Sequence, residues 1–171
     1  MTDIETEATQ EIETKDSGGR AEIIIRNHII GSLGVGLIPL PLVDMVALTG
    51  VQLNMLRRLA KVYEVPFSRD LAKSIIASLI GGGIPVTFTR TLMSLMKGVP
   101  LIGLTVGALA MPILSGATTY AVGKVFVQHF ASGGTFLNFN PEEVREYFNK
   151  MFKEGQEVVA KLKKGKAKST A

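Results

Sequence analysis

An all-helical fold is predicted for this chain, and three observations predict it. Apolar residues recur at three- and four-residue spacing, no stretch of any length alternates as a strand does, and prolines or glycines separate the helical stretches. The 171 residues are 46% hydrophobic, which is enough for one domain with a sizeable core. We therefore expect a helical bundle built around a long, apolar, glycine-rich helical hairpin.

Charge is distributed unevenly along the chain. Residues 1–19 hold six acids and one base, and residues 20–140 hold four acids and ten bases. The leader is polar and ends in Ser17-Gly18-Gly19, so it is predicted to be disordered. The predicted organisation is a disordered acidic leader at 1–19, a helical apolar domain at 20–135, an amphipathic C-terminal helix at 136–163 and a disordered basic tail at 164–171.

The first two helices are predicted at residues 20–37 and 42–64, on either side of Pro39-Leu40-Pro41. The second is the best-patterned amphipathic helix of the chain. Its apolar face holds Leu48, Val51, Met55, Leu59 and Val62, and its opposite face holds Asn54, Arg57, Arg58 and Lys61.

Two polar residues of this helix lie on or beside its apolar face. Asp44 is in the first turn, where a carboxylate complements the helix dipole, or else it pairs with Arg90, Lys124 or a partner protein. Gln52 lies at the edge of the apolar face and is either a boundary residue or the site of a polar contact. The candidate residues for partner binding or ion pairing are Asp44, Gln52, Arg57, Arg58 and Lys61.

The middle of the chain is apolar enough to enter a membrane. Residues 74–89 and 98–123 carry no charge, and the second stretch exceeds the about 20 residues that a spanning helix needs. Lys97-Gly98-Val99-Pro100 predicts a turn between them. The hairpin could span the bilayer, dip into one leaflet, or form the buried centre of a soluble bundle. Close helix packing is predicted at Gly81, Gly82, Gly83, Gly103 and Gly107.

The last helix is predicted to start at Asn140-Pro141-Glu142-Glu143, which supplies a cap, a first-turn proline and two acids. The lysine-rich end of the chain is either attracted to an anionic lipid surface or simply a solvated terminus. Nucleic acid is not a predicted partner, because no aromatic residue is interleaved with these lysines. The candidate lipid-surface residues are Lys161, Lys163, Lys164, Lys166 and Lys168.

No catalytic, cofactor or metal site is predicted. The chain has no cysteine, and His28 and His129 lie on apolar helices without a carboxylate nearby in sequence. The nearest match to a phosphate-binding loop ends at Lys124, but its glycine spacing is wrong and Val125 stands where Ser or Thr is needed. No basic and then apolar signal peptide opens the chain, so we expect it to start in the cytosol. A membrane hairpin would keep both termini in the cytoplasm, and most of the bases that flank it favour that side.

A proline turn, the helix that follows it and a later apolar helix form a recognisable pattern. Its segments are Ile38-Pro39-Leu40-Pro41-Leu42-Val43-Asp44, then Gln52, Met55 and Leu59-Ala60-Lys61-Val62-Tyr63, and later Ala117-Thr118-Thr119-Tyr120-Ala121-Val122-Gly123-Lys124, Phe130 and Gly133-Gly134. This pattern resembles the YcjF-type family, a domain of unknown function found C-terminal to Era-like GTPases or encoded beside them. The resemblance covers about residues 20–135 and implies a helical, often membrane-associated module without established catalysis that acts alongside a GTPase. This chain departs from the family by lacking a GTPase domain, so that partner would be a separate polypeptide.

Two functions follow from these observations. The first is a non-catalytic, membrane-associated helical accessory or scaffold protein that forms a homo-oligomer and recruits a protein partner such as a small GTPase. It would lie at the inner membrane if the source is bacterial. The alternative is a soluble helical-bundle module that binds protein partners or an apolar ligand.

Overall fold

The chain forms five helices and no strand in residues 2–35, 41–83 and 100–168, which are the residues that the computed structural model describes. This confirms the all-helical prediction. Side chains are described for residues 15–34, 46–82 and 111–162. The helices are α1 (Thr2–Val35), α2 (Pro41–Val62), α3 (Arg69–Gly83), α4 (Pro100–Ala131) and α5 (Arg145–Lys168).

Helix α4 lies at the centre of the bundle. Its Gly123 faces Ile25 of α1 and its Gly116 faces both Leu33 of α1 and Val159 of α5. Helix α1 therefore runs antiparallel to α4. From residue 115 to residue 126, every residue of α4 except Lys124 is buried. The absence of charge from residues 115–123 is thus explained by burial in a protein core.

The structure corrects the prediction of a long apolar hairpin. Helix α3 touches α4 at few positions, whereas α1 and α5 pack along α4 and cover most of it. No helix in the described ranges is long and apolar enough to cross a bilayer. The prediction paired two apolar segments because they are neighbours in sequence, but α1 and α5 provide the buried faces that cover α4.

The leader is also different from its prediction, because α1 begins at Thr2 and continues without a break to Val35. A disordered segment at residues 1–19 was expected from its charge and its two glycines. The leader contains no proline, and its apolar residues Ile4, Ala8 and Ile12 recur every four residues, which suits one face of a helix. That spacing favours a helix at residues 2–16, although the charge of the leader favours disorder.

The basic tail is likewise helical as far as Lys168, whereas residues 164–171 were predicted to be disordered. Lysine and alanine are good helix formers, and lysines near a helix C-terminus complement the negative end of the helix dipole. The start of α5 is also displaced from the predicted position. Asn140 Oδ1 accepts a hydrogen bond from the Glu142 amide at 3.1 Å and forms a turn, but the helix itself begins at Arg145.

Helix α2 has the two faces that the sequence predicts. Met55 and Leu59 are completely buried, whereas Arg57, Arg58 and Lys61 are exposed. Aromatic rings from the segment between α2 and α3, from the last turns of α4 and from the segment after α4 form a cluster that closes one end of the bundle. Its members are Tyr63, Phe67, Phe126, Phe130, Phe136 and Phe139.

Candidate functional site

Gln52 is completely buried between α2 and α4, so it is not at the edge of the apolar face as predicted. Its Nε2 donates to Thr119 Oγ1 over 3.5 Å, and its Oε1 has no hydrogen-bond partner. Ser32 and Thr118 are also buried, but their hydroxyls donate to backbone carbonyl oxygens one turn earlier in their own helices. The Gln52 oxygen is therefore an unsatisfied acceptor in the core, and such an acceptor costs stability.

A groove of about 580 Å³ lies between α1 and α2. His28 bridges the two helices beside it, because its Nδ1–H donates to the Ile24 carbonyl oxygen at 2.7 Å and its Nε2 lies 3.3 Å from Asn54 Oδ1. Small residues give the groove its depth, and polar side chains give it hydrogen-bonding capacity. Its lining includes Gly31, Ala47 and Gly50 as small residues, and Asn27, His28, Asn54 and Arg58 as polar ones.

The basic residues of α2 are exposed, and one of them, Arg58, lines this groove. Within the described part of the chain, Arg57, Arg58 and Lys61 form no ion pair. Lys124 pairs with Glu22 of α1, which is not the partner that the sequence analysis considered for it. Asp44 is on α2, but its side chain lies outside the residues whose side chains are described.

Tyr120 joins the central helix to α5. Its hydroxyl donates to Glu154 Oε1 at 2.5 Å, and Lys124 Nζ lies 5.5 Å from the centre of its ring. Burial raises the pKa of Tyr120, and the hydrogen bond to the Glu154 carboxylate and the negative charge of that group raise it further. These contacts hold helices together and do not present a reactive group to solvent.

Two of the five predicted packing glycines have described surroundings. A Cβ at Gly82 would lie 2.8 Å from a guanidinium nitrogen of Arg145, so the neighbour of Gly82 among the described side chains is the start of α5. Gly81 is exposed, and a Cβ there would meet nothing within 4 Å among the described residues, so its packing role stays a prediction. Gly83, Gly103 and Gly107 lie outside the residues whose side-chain surroundings are described.

The close helix contacts of the core use three other glycines. A Cβ at Gly116 would lie 2.7 Å from Val159, one at Gly123 would lie 2.7 Å from Ile25, and one at Gly155 would lie 2.9 Å from the Ala117 carbonyl oxygen. The signal that could have found the first two is their seven-residue spacing, which places them on one face of α4. Sequence reasoning missed them because it placed the close contact between α3 and α4.

One end of the bundle combines an uncharged helix with a cationic one. Helix α5 runs antiparallel to α4, because Gly155 faces Ala117 and Tyr120 while Val159 faces Gly116. The lysines after Val159 are therefore carried beside the N-terminal half of α4, where residues 100–110 hold no charge. Lys161 is exposed. The side chains of Lys163, Lys164, Lys166 and Lys168 lie outside those described.

The two histidines contact backbone groups. His129 Nε2–H donates to the Thr135 carbonyl oxygen at 2.9 Å, and its ring packs edge-on against Phe139 with the ring centres 4.9 Å apart. Among the described residues, no group of three or more His, Asp or Glu side chains could hold a metal ion. Both histidines are thus held by hydrogen bonds to backbone carbonyl oxygens.

Comparison with known proteins identifies a family and a relative. A family model described as a domain of unknown function, DUF697, matches residues 1–157. Magnetosome membrane protein 22 from Magnetospirillum gryphiswaldense is 36% identical over 154 residues, which cover 88% of this chain and 79% of the relative. No solved structure matches this chain.

Proposed function

Because this chain belongs to the DUF697 family, we propose that it is a membrane-associated helical accessory protein that has no catalytic activity of its own and works by holding other proteins. The observation that carries the proposal is the relative that is named a magnetosome membrane protein and that aligns with most of this chain. That name supports contact with a membrane. The relative's name mentions no substrate, and the family description mentions no activity.

Attachment to the bilayer surface is proposed for the end of the bundle where the start of α4 meets the end of α5. The lysines of α5 would lie near anionic head groups, at about 1 kcal/mol for each lysine close to the surface. The uncharged residues 100–110 of α4 would contact the apolar boundary beneath them. In this arrangement the protein lies on the cytoplasmic face with both termini in the cytoplasm.

The exposed bases of α2 are the proposed protein-binding surface, and the chain is proposed to self-associate. The resemblance to the YcjF-type family favours a small GTPase, supplied as a separate polypeptide, as a further partner. The absence of catalysis is supported by how the polar groups are used. The histidines and the buried hydroxyls of Ser32 and Thr118 bind backbone carbonyl oxygens of this chain.

A second candidate function is a soluble helical-bundle module that binds protein partners. The burial of α4 favours it, because residues 115–126 are covered by helices of the same chain and need no lipid to cover them. The two candidates differ in what residues 100–110 and the lysines of α5 contact, and fractionation distinguishes them.

The test is fractionation of cells that express the full chain, with membranes washed in high salt and then in alkaline carbonate. Surface attachment predicts a membrane pellet at low salt. It also predicts at least about tenfold weaker binding to phosphatidylserine-containing vesicles when Lys161, Lys163, Lys164, Lys166 and Lys168 are all changed to Gln. The control changes two lysines at the other end of α5, Lys150 and Lys153, to Gln and should bind as the wild type does.

Three outcomes separate the candidates. Release by salt alone would mean that the lysines provide the whole attachment. Retention after the carbonate wash would mean that the apolar first half of α4 also contacts the lipid. Recovery in the soluble fraction from the start, with no binding to vesicles, would refute membrane attachment and leave the soluble module as the function.

A further inference from the structure

We infer that the groove between α1 and α2 binds the acidic leader, residues 2–16, of a second copy of this chain. The inference rests on the protein-binding surface of the proposed function and names one occupant for it. It does not depend on membrane attachment, so a test of self-association in solution and the fractionation test can fail separately. The occupant follows from charge, from the apolar spacing of the leader and from the geometry of α1.

The groove presents positive charge and hydrogen-bond donors. Arg58 lines it and Lys61 follows one turn later on the same side of α2, and neither forms an ion pair within the described residues. The amide of Asn27 adds donors along the α1 wall. After Asp16, Glu22 is the only acid among the described side chains of α1 and α2. It already forms an ion pair with Lys124.

Apolar surface borders the same groove. Ile30 is 45% exposed and Ile23 is 62% exposed, and their seven-residue spacing places them with Asn27 on one side of α1. Gly31, Ala47 and Gly50 keep the groove open, and a Cβ at Gly50 would meet nothing within 4 Å. The surface therefore suits a helix that has a narrow apolar face and acids beside it.

The leader of this chain has that pattern. Five acids and no base lie between Thr2 and Glu13, and Ile4, Ala8 and Ile12 fall on one helical face. Among the side chains of α1 that are described, from residue 15 to residue 34, Ala21 is the first that is buried in the core. A helical extension of this length is marginal in water without tertiary packing, so a docking surface would stabilise it.

The leader cannot reach the groove of its own chain while α1 is intact. Helix α1 forms one wall of that groove and continues without a break through Gly18 and Gly19 to Thr2, so the leader points away from it. Residues 2–16 extend about 22 Å at 1.5 Å per residue. In an antiparallel pair of chains each leader can lie in the groove of the other, and this exchange closes a two-fold dimer.

The first experiment measures the mass of the full chain by sedimentation equilibrium over a range of concentration and salt. We expect a dimer that weakens as salt rises, because the charges are exposed and screened. Arg58→Glu and the double variant Glu7→Lys/Glu11→Lys should each weaken the dimer by about tenfold. Lys153→Glu makes the same charge change on exposed α5 and should leave the dimer unchanged. A 1:1 mixture of the two weakened variants should restore a dimer, because both of its grooves then face a leader of opposite charge.

The second experiment uses the fact that the chain has no cysteine. Ile12→Cys in one copy and Asn54→Cys in another should form an inter-chain disulfide under mild oxidation, whereas Ile12→Cys with Lys153→Cys should not. A monomeric wild type, an equal effect of Arg58→Glu and Lys153→Glu, or no restoration in the mixture would overturn the inference. A crosslink that forms only when both cysteines are in one chain would also overturn it, in favour of a leader that folds back.

Discussion

Gly155 illustrates how closely the helices of the core approach one another. A Cβ there would lie 2.9 Å from the Ala117 carbonyl oxygen and 3.1 Å from the Cβ of Tyr120. The backbone of α4 cannot yield as a flexible side chain can, so even the smallest added group must push two helices apart.

We therefore predict opposite effects for the same substitution at two helical glycines. Gly155→Ala should lower the free energy of unfolding by about 1–2 kcal/mol, because overpacking exceeds the gain in helix propensity. Gly81→Ala should raise it by about 0.5–1 kcal/mol, because Gly81 is exposed and has nothing within 4 Å. Urea denaturation measures both values. A gain at Gly155 would show that α4 and α5 do not approach as closely as described.

Gln52 gives a second prediction at this scale. Gln52→Met keeps the volume of the side chain and removes the unsatisfied Oε1, so the free energy of unfolding should rise by about 1 kcal/mol. Gln52→Ala is the control and should lower it by about 2 kcal/mol or more, because it leaves a cavity. If the Met variant is less stable than the wild type, the Nε2 hydrogen bond to Thr119 contributes more than the unsatisfied Oε1 costs.

The individual residues of α2 show what a sequence can and cannot predict. Its three- and four-residue spacing predicted correctly that Met55 and Leu59 are buried and that Arg57, Arg58 and Lys61 are exposed. Gln52 was assigned to the edge because periodicity gives a direction but not the position of the helix that packs there. Helix α4 covers Gln52 through Thr119, which lies 67 positions later in the chain.

Between elements, the contact of Tyr120 with Glu154 ties α5 to α4 and should make stability depend on pH. The pKa of Tyr120 is raised in the folded state, so the stabilisation is fully present below the ordinary value of about 10 and is lost as pH rises beyond it. Tyr63 behaves in the same direction, because burial and then the charge of Glu22 raise its pKa.

Comparison with Tyr120→Phe isolates this contact. Below pH 10 the wild type should be more stable than the variant by about 1–2 kcal/mol, because the variant lacks the hydrogen bond to Glu154. Above pH 10 the difference should shrink, since ionisation then favours the unfolded wild type. Urea denaturation between pH 8 and about pH 11 measures the difference. A constant difference over this range would mean that Tyr120 is not held against Glu154.

The pairing of elements was the part of the fold that the sequence predicted least well. Helices α2, α3 and α4 were expected from proline positions and apolar spacing, and all three occur. Their neighbours were not predicted, because a helix such as α4 is apolar on all sides. Its sequence therefore does not indicate which side packs against which helix. The leader was missed for a different reason, since high charge was weighted above the helical spacing of its apolar residues.

For the molecule as a whole, one continuous core predicts one cooperative transition. Buried side chains from all five helices belong to the same cluster, and α4 connects α1, α2 and α5. Thermal unfolding followed by far-ultraviolet circular dichroism and by tyrosine fluorescence should therefore give coincident curves. Two separated transitions would mean that part of the bundle, such as α3, unfolds independently.

The candidate surfaces could be predicted only in part. The lysines of α5 and the bases of α2 are visible in the sequence, because charge needs no tertiary information. Their setting is not visible there. The groove beside Arg58 exists only once α1 and α2 are packed, and the lysines come beside the start of α4 only because α5 returns antiparallel to it.

The close approach at Gly123 has a consequence for how this family can diverge. A Cβ there would crowd both Ile25 of α1 and Met55 of α2. A homologue with alanine at this position can keep the same helix spacing only if residue 25 becomes smaller or moves, and Met55, whose sulfur lies 3.3 Å from that Cβ, limits where it can move. These three positions are therefore expected to covary across the family, and α1 and α2 constrain each other's evolution through a residue that has no side chain.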